Sequence, residues 1–241
     1  MTTLSKILVA TVLSLLLFSC VDMNFMTGVK GNGNVQTENR SSNESFNKIS
    51  ASQGLDVYLT QGNEESIIVE ADENLLDIIK TEVSDNELRI YAKSNIGYAS
   101  SKKITVNFRD ISSIESTSGS DIRSTNTIRV DNLELNTSSG SDMNLSVETN
   151  QLDCHSSSGS DLRLSGSTEK LFAKASSGSD IKAGDLISQS SQVKATSGSD
   201  ITVNTSKELT ASANSGGDVK YYGNPAIVNK NGGPSGSITK R

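Results

Sequence analysis

The sequence predicts an all-β protein, a β-helix-like solenoid with coils of ~20 residues that follows a short non-repeating β region. The first observation is the tetrapeptide Ser-Gly-Ser-Asp, which occurs five times and once more as Ser-Gly-Gly-Asp. Successive Asp residues of these motifs lie 18 to 21 residues apart, and such a period is typical of stacked solenoid coils. The six motifs are Ser118–Asp121, Ser139–Asp142, Ser158–Asp161, Ser177–Asp180, Ser197–Asp200 and Ser215–Asp218.

The second observation is that apolar residues keep fixed positions relative to the Asp of each repeat. Because successive side chains of a strand point to opposite faces, such columns are predicted to face inward. Two short strands per coil would then be joined by the Ser-Gly turn, where Gly provides backbone freedom. The columns one residue after and seven residues before Asp are Ile122, Met143, Leu162, Ile181, Ile201 and Val219, and Ile114, Leu135, Cys154, Ala173, Val193 and Ala211.

The composition agrees with a slim core. Hydrophobic residues make up 34% of the 241 residues and aromatic residues only 4%, with no Trp. The formal net charge of −6 argues against nucleic acid as a partner, because phosphate binding needs a basic surface. Helix content is predicted to be very low.

Residues 1–20 have the pattern of a bacterial lipoprotein signal peptide. Lys6 precedes the apolar stretch Ile7–Phe18, which is too short to span a membrane, since a spanning helix needs ~20 apolar residues. The sequence Leu17-Phe18-Ser19-Cys20 resembles a lipobox, which implies lipidation of Cys20 and a membrane partner through this anchor. Ordinary secretion with cleavage nearby is the alternative, and in either case the mature chain leaves the cytoplasm.

The remaining chain divides into four parts by composition and periodicity. Residues 21–45 are predicted to be a flexible polar tether, and residues 46–111 a non-repeating β region that caps the solenoid at its N-terminal end. Residues 112–222 hold the repeats. Residues 223–241 are expected to form a C-terminal cap or tail, because the open end of a solenoid exposes unpaired strand edges.

Short strands and one hairpin are predicted within residues 46–111. Ser84-Asp85-Asn86-Glu87 is a candidate hairpin turn between two of the strands, and Asn74–Lys80 could form a short helical turn. The strands are expected at Leu55–Leu59, Ile67–Ala71, Thr81–Val83, Leu88–Tyr91 and Ile104–Phe108.

The column of Asp residues has two interpretations. Stacking places the carboxylates ~4.8 Å apart, so they repel one another unless something compensates their charge. A cation ladder on Asp121, Asp142, Asp161, Asp180, Asp200 and Asp218 is one interpretation, and carboxylates do suit Ca²⁺. The other is structural and is favoured here, because the position two residues after Asp is basic in four of six repeats: Arg123, Asn144, Arg163, Lys182, Thr202 and Lys220. We therefore expect neither a metal nor a cofactor.

No pattern of catalytic residues is present. A nucleophilic Ser needs a base within reach, and the one His, His155, is predicted to lie in an outward row with Glu115, Asn136, Lys174, Lys194 and Ser212. Cys154 lies in an inward apolar row and points away from His155, which argues against a shared metal site. The first Ser of each motif and the residue before it are expected to form a hydroxyl ladder that satisfies turn backbone groups.

These residues together resemble a bacterial family, the putative auto-transporter adhesin, head GIN domain. The similarity covers about Phe46 to the C-terminus and rests on Gly54–Gly62, Ile68–Asp77, the Ser-Gly-Ser-Asp repeats and Tyr221–Pro225. It implies a right-handed β-solenoid on a secreted or lipid-anchored protein. The family has no agreed catalytic residues, so none is carried over.

The function predicted from the sequence is a non-catalytic binding or adhesion module of the cell envelope. It would be lipid-anchored, in the outer membrane, on the periplasmic or the surface side, and would contact a surface protein or glycan through an extended solenoid face. A structural envelope scaffold without a ligand is the first alternative. An enzyme that acts on polysaccharide is the second, but the acidic residues are evenly spread and not clustered as in glycosidases.

Overall fold

The computed structural model describes residues 28–42, 44–233 and 235–241. The predicted signal peptide and Cys20 therefore lie outside the described residues. The strands are β1 Val35–Arg40, β2 Lys48–Ala51, β3 Asp56–Gln61, β4 Ser66–Asp72, β5 Ile79–Ser84, β6 Glu87–Ala92, β7 Lys102–Phe108, β8 Ser113–Ser116, β9 Asp121–Ser124, β10 Ile128–Thr137, β11 Asp142–Ser157, β12 Asp161–Ser176, β13 Asp180–Thr196, β14 Asp200–Asn214, β15 Asp218–Tyr222, β16 Ile227–Gly232 and β17 Ser237–Lys240.

The fold is nearly all β, and parallel coils of about 19 residues stack into a solenoid of about 7 turns. The predicted fold class is thus confirmed. A 3₁₀ turn, Glu73–Leu75, overlaps the start of Asn74–Lys80, where a short helical turn was expected, and the end of that segment belongs to β5. Among the described residues, no helix is long and apolar enough to cross a membrane.

The coils stack in the register that the motif predicts. Asp142 pairs with Asp161, Asp161 with Asp180, Asp180 with Asp200, and Asp200 with Asp218. Where one coil is longer than the next, the extra residues appear as irregularities of register, as between β13 and β14. The corners therefore stay aligned although the period varies.

The inward columns form one continuous core. Every residue of the two predicted columns beside the motif is buried, from Ile122 to Val219 and from Ile114 to Ala211. The alternation also predicts inward columns three residues after and nine residues before Asp. These columns are buried apart from two members, since Ser112 is exposed and Ser124 is half-buried. Both lie in the first repeat that carries the motif, directly after the region 46–111.

The region 46–111 was expected to lack the repeat, but it contains a further coil. Strands β2 and β3 stack in parallel on β8 and β9, and Asp56 pairs with Asp121. Their corner is Gln53-Gly54, with φ values of 62° and 71°. The motif is absent from this corner, and β4–β7 are inserted before the next coil, which is why the period in the sequence begins only at Asp121.

The inserted strands extend the stack at its N-terminal end. Strand β6 pairs with β2 and β7 with β3 in parallel, and β5 and β4 then add antiparallel strands on the outside. The predicted hairpin is present, with Asp85 and Asn86 at φ 52° and 61° between β5 and β6. These strands lie where the sequence predicted the N-terminal cap.

Part of the expected polar tether is ordered structure. Strand β1 lies within residues 21–45 and pairs antiparallel with β4 over six residues. Its side chains are mostly exposed, so the strand is attached by backbone hydrogen bonds and by a few polar contacts. The polar composition had suggested a tether, but a polar strand is stable at the edge of an existing sheet.

Asp72, at the end of β4, joins three segments of this region. Its carboxylate is fully buried and accepts hydrogen bonds from the N–H groups of Gly33 (2.8 Å), Ser100 (2.9 Å) and Ser101 (3.0 Å). Burial raises the pKa of the carboxyl, but these N–H donors outweigh it, and the net pKa is lowered. No pattern in the sequence indicates this contact, because Gly33 and Ser100 lie 39 and 28 residues away from Asp72.

Residues 223–241 continue the stack. Strand β16 pairs in parallel with β14, and β17 pairs in parallel with β15, so the segment forms a last layer of the solenoid. The six residues of β16 are all exposed. Lys230 and Lys240 lie on these outer strands, a placement that discourages pairing with another chain.

We predict that Gly166→Ala destabilises the protein more than Gly140→Ala. A Cβ at Gly166, where φ is 109°, would collide with the Val147 carbonyl group of the preceding coil, whereas a Cβ at Gly140 meets nothing within 4 Å. The free energy of unfolding should fall by about 3 kcal/mol or more at Gly166 and by about 1 kcal/mol at Gly140, measured by urea denaturation. Equal losses would contradict the close packing of the coils at Gly166.

We also predict that Asp72→Asn lowers the melting temperature at pH 7 by about 5 °C or more, because an amide cannot accept all three N–H groups. Since the folded pKa of Asp72 is lowered, its stabilisation is present above the unfolded pKa of about 3.9 and is lost as the pH falls through the folded pKa. The difference between wild type and variant should therefore shrink below about pH 4.

The matched control for this experiment is Asp77→Asn, because Asp77 is exposed and makes no side-chain hydrogen bond among the described residues. Its melting temperature, measured by circular dichroism, should stay that of the wild type. An equal loss in both variants would mean that Asp72 does not hold the three segments together.

Candidate functional site

The motif forms the corner of each coil, and the corner is a tight turn. In all six repeats the first Ser of the motif and the following Gly both have positive φ, for example 57° at Ser139 and 68° at Gly140. The N–H of Ser141 donates to the carbonyl of Ser138 (3.3 Å), which closes a type I′ turn. The N–H of Gly140 donates to the carbonyl of Ser158 in the next coil (3.1 Å), so the turns are also bonded to one another.

The hydroxyls that satisfy the corner belong mostly to a different Ser from the one expected, although Ser138 of the expected row donates to Thr117 Oγ1 (3.1 Å). The first Ser of each motif is exposed at the tip of the turn, whereas the second Ser is fully buried. Ser141 shows the pattern: its Oγ accepts from the N–H of Ser138 (3.2 Å) and donates to the carbonyl of Ser116 in the preceding coil (2.7 Å). The buried hydroxyls are those of Ser120, Ser141, Ser160, Ser179 and Ser199.

The error has a simple physical cause. The sequence places the two Ser of a motif two residues apart, which in a strand would put them on the same face. The turn between them reverses this relation, because two residues with positive φ lead the chain sharply round the corner. The second Ser thus enters the core, where its hydroxyl satisfies backbone groups that water cannot reach.

The Asp column lies on the strand after each corner and is partly neutralised by the basic residues beside it. Nζ of Lys182 lies 2.8 Å from Asp161 and 3.2 Å from Asp180, and Nζ of Lys220 lies 3.3 Å from Asp200. Burial lowers the pKa of Lys182, but the hydrogen bonds and charges of its two Asp partners outweigh it, and the net pKa is raised. The basic row therefore acts as the sequence predicted at these positions.

Compensation is weakest at Asp142, because the row has Asn144 in this coil instead of a basic residue. Burial, and then the charges of Asp121 and Asp161 on either side, raise the pKa of Asp142. Among the described residues, no group of three or more Asp, Glu, His or Cys side chains is arranged to hold a metal ion. The column is thus paired within the chain at Asp161, Asp180 and Asp200, and its compensation is weakest at Asp142.

Cys154 and His155 lie on opposite sides of their strand, as the alternation predicted. The Cys154 thiol is fully buried in the core, and this burial raises its pKa. His155 faces outward and is half-buried. The pair thus does not form a joint site, and a buried thiol with a raised pKa is a poor nucleophile.

The outward row that contains His155 lines a shallow trough on the strand before each corner. Glu115, Asn136, His155, Lys174, Lys194 and Ser212 pair in this order on neighbouring strands. A row of hydroxyl groups runs beside them: Ser138, Ser157, Ser176 and Thr196. The groove between these hydroxyls and the members of the first row from Glu115 to Lys194 is called the lysine trough below. Its volume is about 530 Å³.

A second groove, of about 750 Å³, lies where β10 and β11 turn from one wall of the solenoid to the next. Its acidic side chains already have partners. Arg129 binds Glu148 through two hydrogen bonds of 2.8 and 3.2 Å, and Asn150 donates to Asp131 (2.9 Å). Its charged groups are therefore less available to a ligand than those of the lysine trough.

The outward row is visible in the sequence as a column of the aligned repeats, but the trough is not. The structure places Glu115, Asn136, His155, Lys174, Lys194 and Ser212 in the row in which they were predicted. The hydroxyl row was expected to satisfy turn backbone groups. It lies at the end of the strand before the corner, two residues after the outward row, so strand alternation places both rows on the same face. The signal that could have revealed it is the persistence of Ser or Thr four residues before Asp in five of the repeats.

We predict that Asp142→Asn stabilises the protein at pH 7 by about 0.5 kcal/mol, since it removes two like-charged neighbours across strands. The folded pKa of Asp142 is raised, so ionisation of this carboxyl disfavours the folded state. The wild type keeps its full stability below the unfolded pKa of Asp142 and loses part of it as the pH rises through the folded pKa. The gain should therefore fade on acidification. Urea denaturation at pH 7 and pH 4 measures the difference in the free energy of unfolding between variant and wild type. The control is Asp180→Asn. It breaks an ion pair with Lys182 and should therefore not stabilise the protein.

Comparison with known proteins places the chain in a group of similar solenoids. A crystal structure of a putative adhesin from Bacteroides fragilis NCTC 9343 has a TM-score of 0.82 at 21% identity, and the match covers 89% of this chain and 100% of that one. A putative adhesin from Parabacteroides merdae ATCC 43184 has a TM-score of 0.72 at 18% identity, covering 88% and 98%. At these identities the likeness shows the fold alone.

A third similar structure carries a different name. It is a putative lipid binding protein from Parabacteroides distasonis ATCC 8503, with a TM-score of 0.67 at 22% identity, covering 88% of this chain and 99% of that one. A comparison with curated proteins gave no match. The family model described as putative auto-transporter adhesin, head GIN domain, matches residues 45–225, and the chain therefore belongs to this family.

Proposed function

We propose that the protein is a lipid-anchored binding or adhesion module of the cell envelope, which contacts a surface protein or glycan through an extended face of the solenoid. The observation that carries this proposal is the lysine trough, a groove bordered by rows of outward polar side chains that stay in register over five coils. Such a face presents many equivalent contacts along one line. It suits a long partner better than a small enclosed one.

A non-catalytic role is supported by how the reactive groups are used. Asp161, Asp180 and Asp200 of the column are paired with Lys or Arg. The buried second Ser of the first five motifs holds the corner, and Cys154 belongs to the core. Catalysis needs a nucleophile or an acid–base pair that is free and close to a substrate. The motif residues of this chain instead bond to one another and to the backbone.

The names of similar structures support adhesion in a weaker sense. Two of them are called putative adhesins, and the family carries the same word in its description. Function resides in a site more than in a fold, so the names alone do not transfer a ligand. The lipid anchor at Cys20 would hold the solenoid at a membrane, with the intervening residues as a spacer.

We predict that cells that produce the full chain attach a fatty acid to Cys20 and display the solenoid outside. Labelling with an alkyne-tagged fatty acid should mark the wild type but not Cys20→Ala, which should also leave the membrane fraction. Protease added to intact cells should digest the displayed wild type. Labelled Cys20→Ala, or a wild type that resists the protease on intact cells, would contradict the proposal.

Binding through the face is tested with the same cells. A variant with Ser at Glu115, Asn136, His155, Lys174 and Lys194 should retain the fold, because Ser212 already occupies this row. We expect these cells to lose retention on surfaces coated with glycans or proteins to which wild-type cells adhere. A control with Ser at the exposed Asp77, Lys93 and Lys207 should be retained normally. Equal retention of all three would refute binding through this row.

A further inference from the structure

The lysine trough contains two cationic side chains without a partner. Lys174 and Lys194 are neighbours on β12 and β13, and both are exposed. Neither makes an ion pair or a side-chain hydrogen bond in the described part of the chain, whereas Lys182 and Lys220 on the other wall are paired with Asp. Like charges directly opposite on paired strands are unfavourable, so an anion between them would remove a cost of the fold.

Hydroxyl groups beside these lysines are also free to bind. Ser157, Ser176 and Thr196 are half-buried along the trough, and within the described residues their side chains make no hydrogen bond. Each of these three coils therefore presents the same pair, one imidazole or ammonium group and one hydroxyl. Charged donors together with hydroxyl donors are suited to the oxygen atoms of carboxylate or sulfate groups.

The charge of the surroundings restricts where an anion can bind. The chain carries a formal net charge of −6, and the trough itself begins at Glu115 and ends at Lys194. Lys170 adds a third exposed cation on β12, on the same outward side as Lys174. The favourable part of the trough is thus the stretch from His155 to Lys194, within an otherwise acidic protein.

The arrangement indicates a polymer and not a single ion. Coil spacing places Lys174 and Lys194 ~4.8 Å apart along one line, with His155 in the coil before them, and each exposed group contributes little by itself. A chain with anionic groups at intervals gains from several weak contacts at once. Phe172, half-buried and outward between Lys170 and Lys174, offers an apolar surface on which the C–H face of a sugar ring can pack.

We propose that the lysine trough binds an acidic polysaccharide, with its carboxylate or sulfate groups on Lys174 and Lys194 and on the hydroxyls of Ser176 and Thr196. This inference rests on the proposed function, because it names the ligand class for the same face. The polymer lies along the solenoid axis and crosses the coils. Most of the binding free energy is electrostatic, so the affinity for the polymer falls as salt is added.

The experiment measures binding of polygalacturonate, a carboxylated polysaccharide, and of dextran sulfate to the purified full chain by calorimetry, with neutral dextran as the reference polymer. The test variant is Lys174→Gln with Lys194→Gln. Its control is Lys93→Gln with Lys207→Gln, which removes the same charge from exposed positions outside the trough. Circular dichroism verifies that both variants keep the wild-type melting temperature or exceed it.

We expect the wild type and the control to bind at least one acidic polymer, and the test variant to bind it roughly tenfold more weakly. Neutral dextran should give no heat. The inference is overturned if neither acidic polymer binds, if both variants lose affinity equally, or if neutral dextran binds as well as the acidic ones. Binding only to vesicles that contain phosphatidylglycerol would assign the trough to lipid phosphate and would also overturn it.

The two proposals can fail separately. Cells of the variant with Ser at all five row positions could lose retention on coated surfaces while the wild type binds no acidic polymer. In that case the face is an adhesion site for another ligand, and only the further inference fails. If the acidic polymer binds through Lys174 and Lys194 but the protein is neither lipidated nor displayed, the ligand class stands and the cellular role is wrong.

Discussion

The structure depends on the hydrogen-bonded stacking of identical corners. Each corner places two successive residues in the left-handed region, which costs free energy for Ser more than for Gly. The cost is offset because the Gly N–H bonds to the next coil and the buried second Ser bonds to the coil before. Aligned corners force the strands between them into register, and the narrow core of Ile, Leu, Val and Ala follows from that alignment.

Register converts single residues into columns, and the chemical character of each column decides its role. The Asp column would be unstable alone, but Lys182 bridges two of its members and Lys220 binds another. The row through Lys174 and Lys194 has no such compensation within the described residues. The same architecture thus produces one wall whose charges are partly paired within the chain and one wall with charge available to a partner. This contrast is the basis for the binding role that we propose.

Much of the fold could be predicted because its signals are periodic. The corner motif, the inward columns through Leu162 and Ala173, and the outward position of His155 all follow from a fixed spacing and strand alternation. The first coil was missed because Gln53-Gly54 does not carry the motif and the insertion before Asp121 interrupts the period. Strand β1 was missed because a polar edge strand has the composition of a tether. Asp72 was missed because its partners are distant in sequence.

The sequence by itself determined the repeat, the order of the columns and the Lys and Asp residues that each column contains, since these depend only on spacing. The tertiary structure alone decided which side of a corner each residue reaches. Two residues with positive φ reverse the direction of the chain, so the second Ser of the motif, for example Ser141 or Ser160, enters the core. Spacing along the chain specifies which residues share a face of a strand, because side chains alternate. The face that a residue reaches after a turn depends on the dihedral angles of that turn, which spacing does not specify.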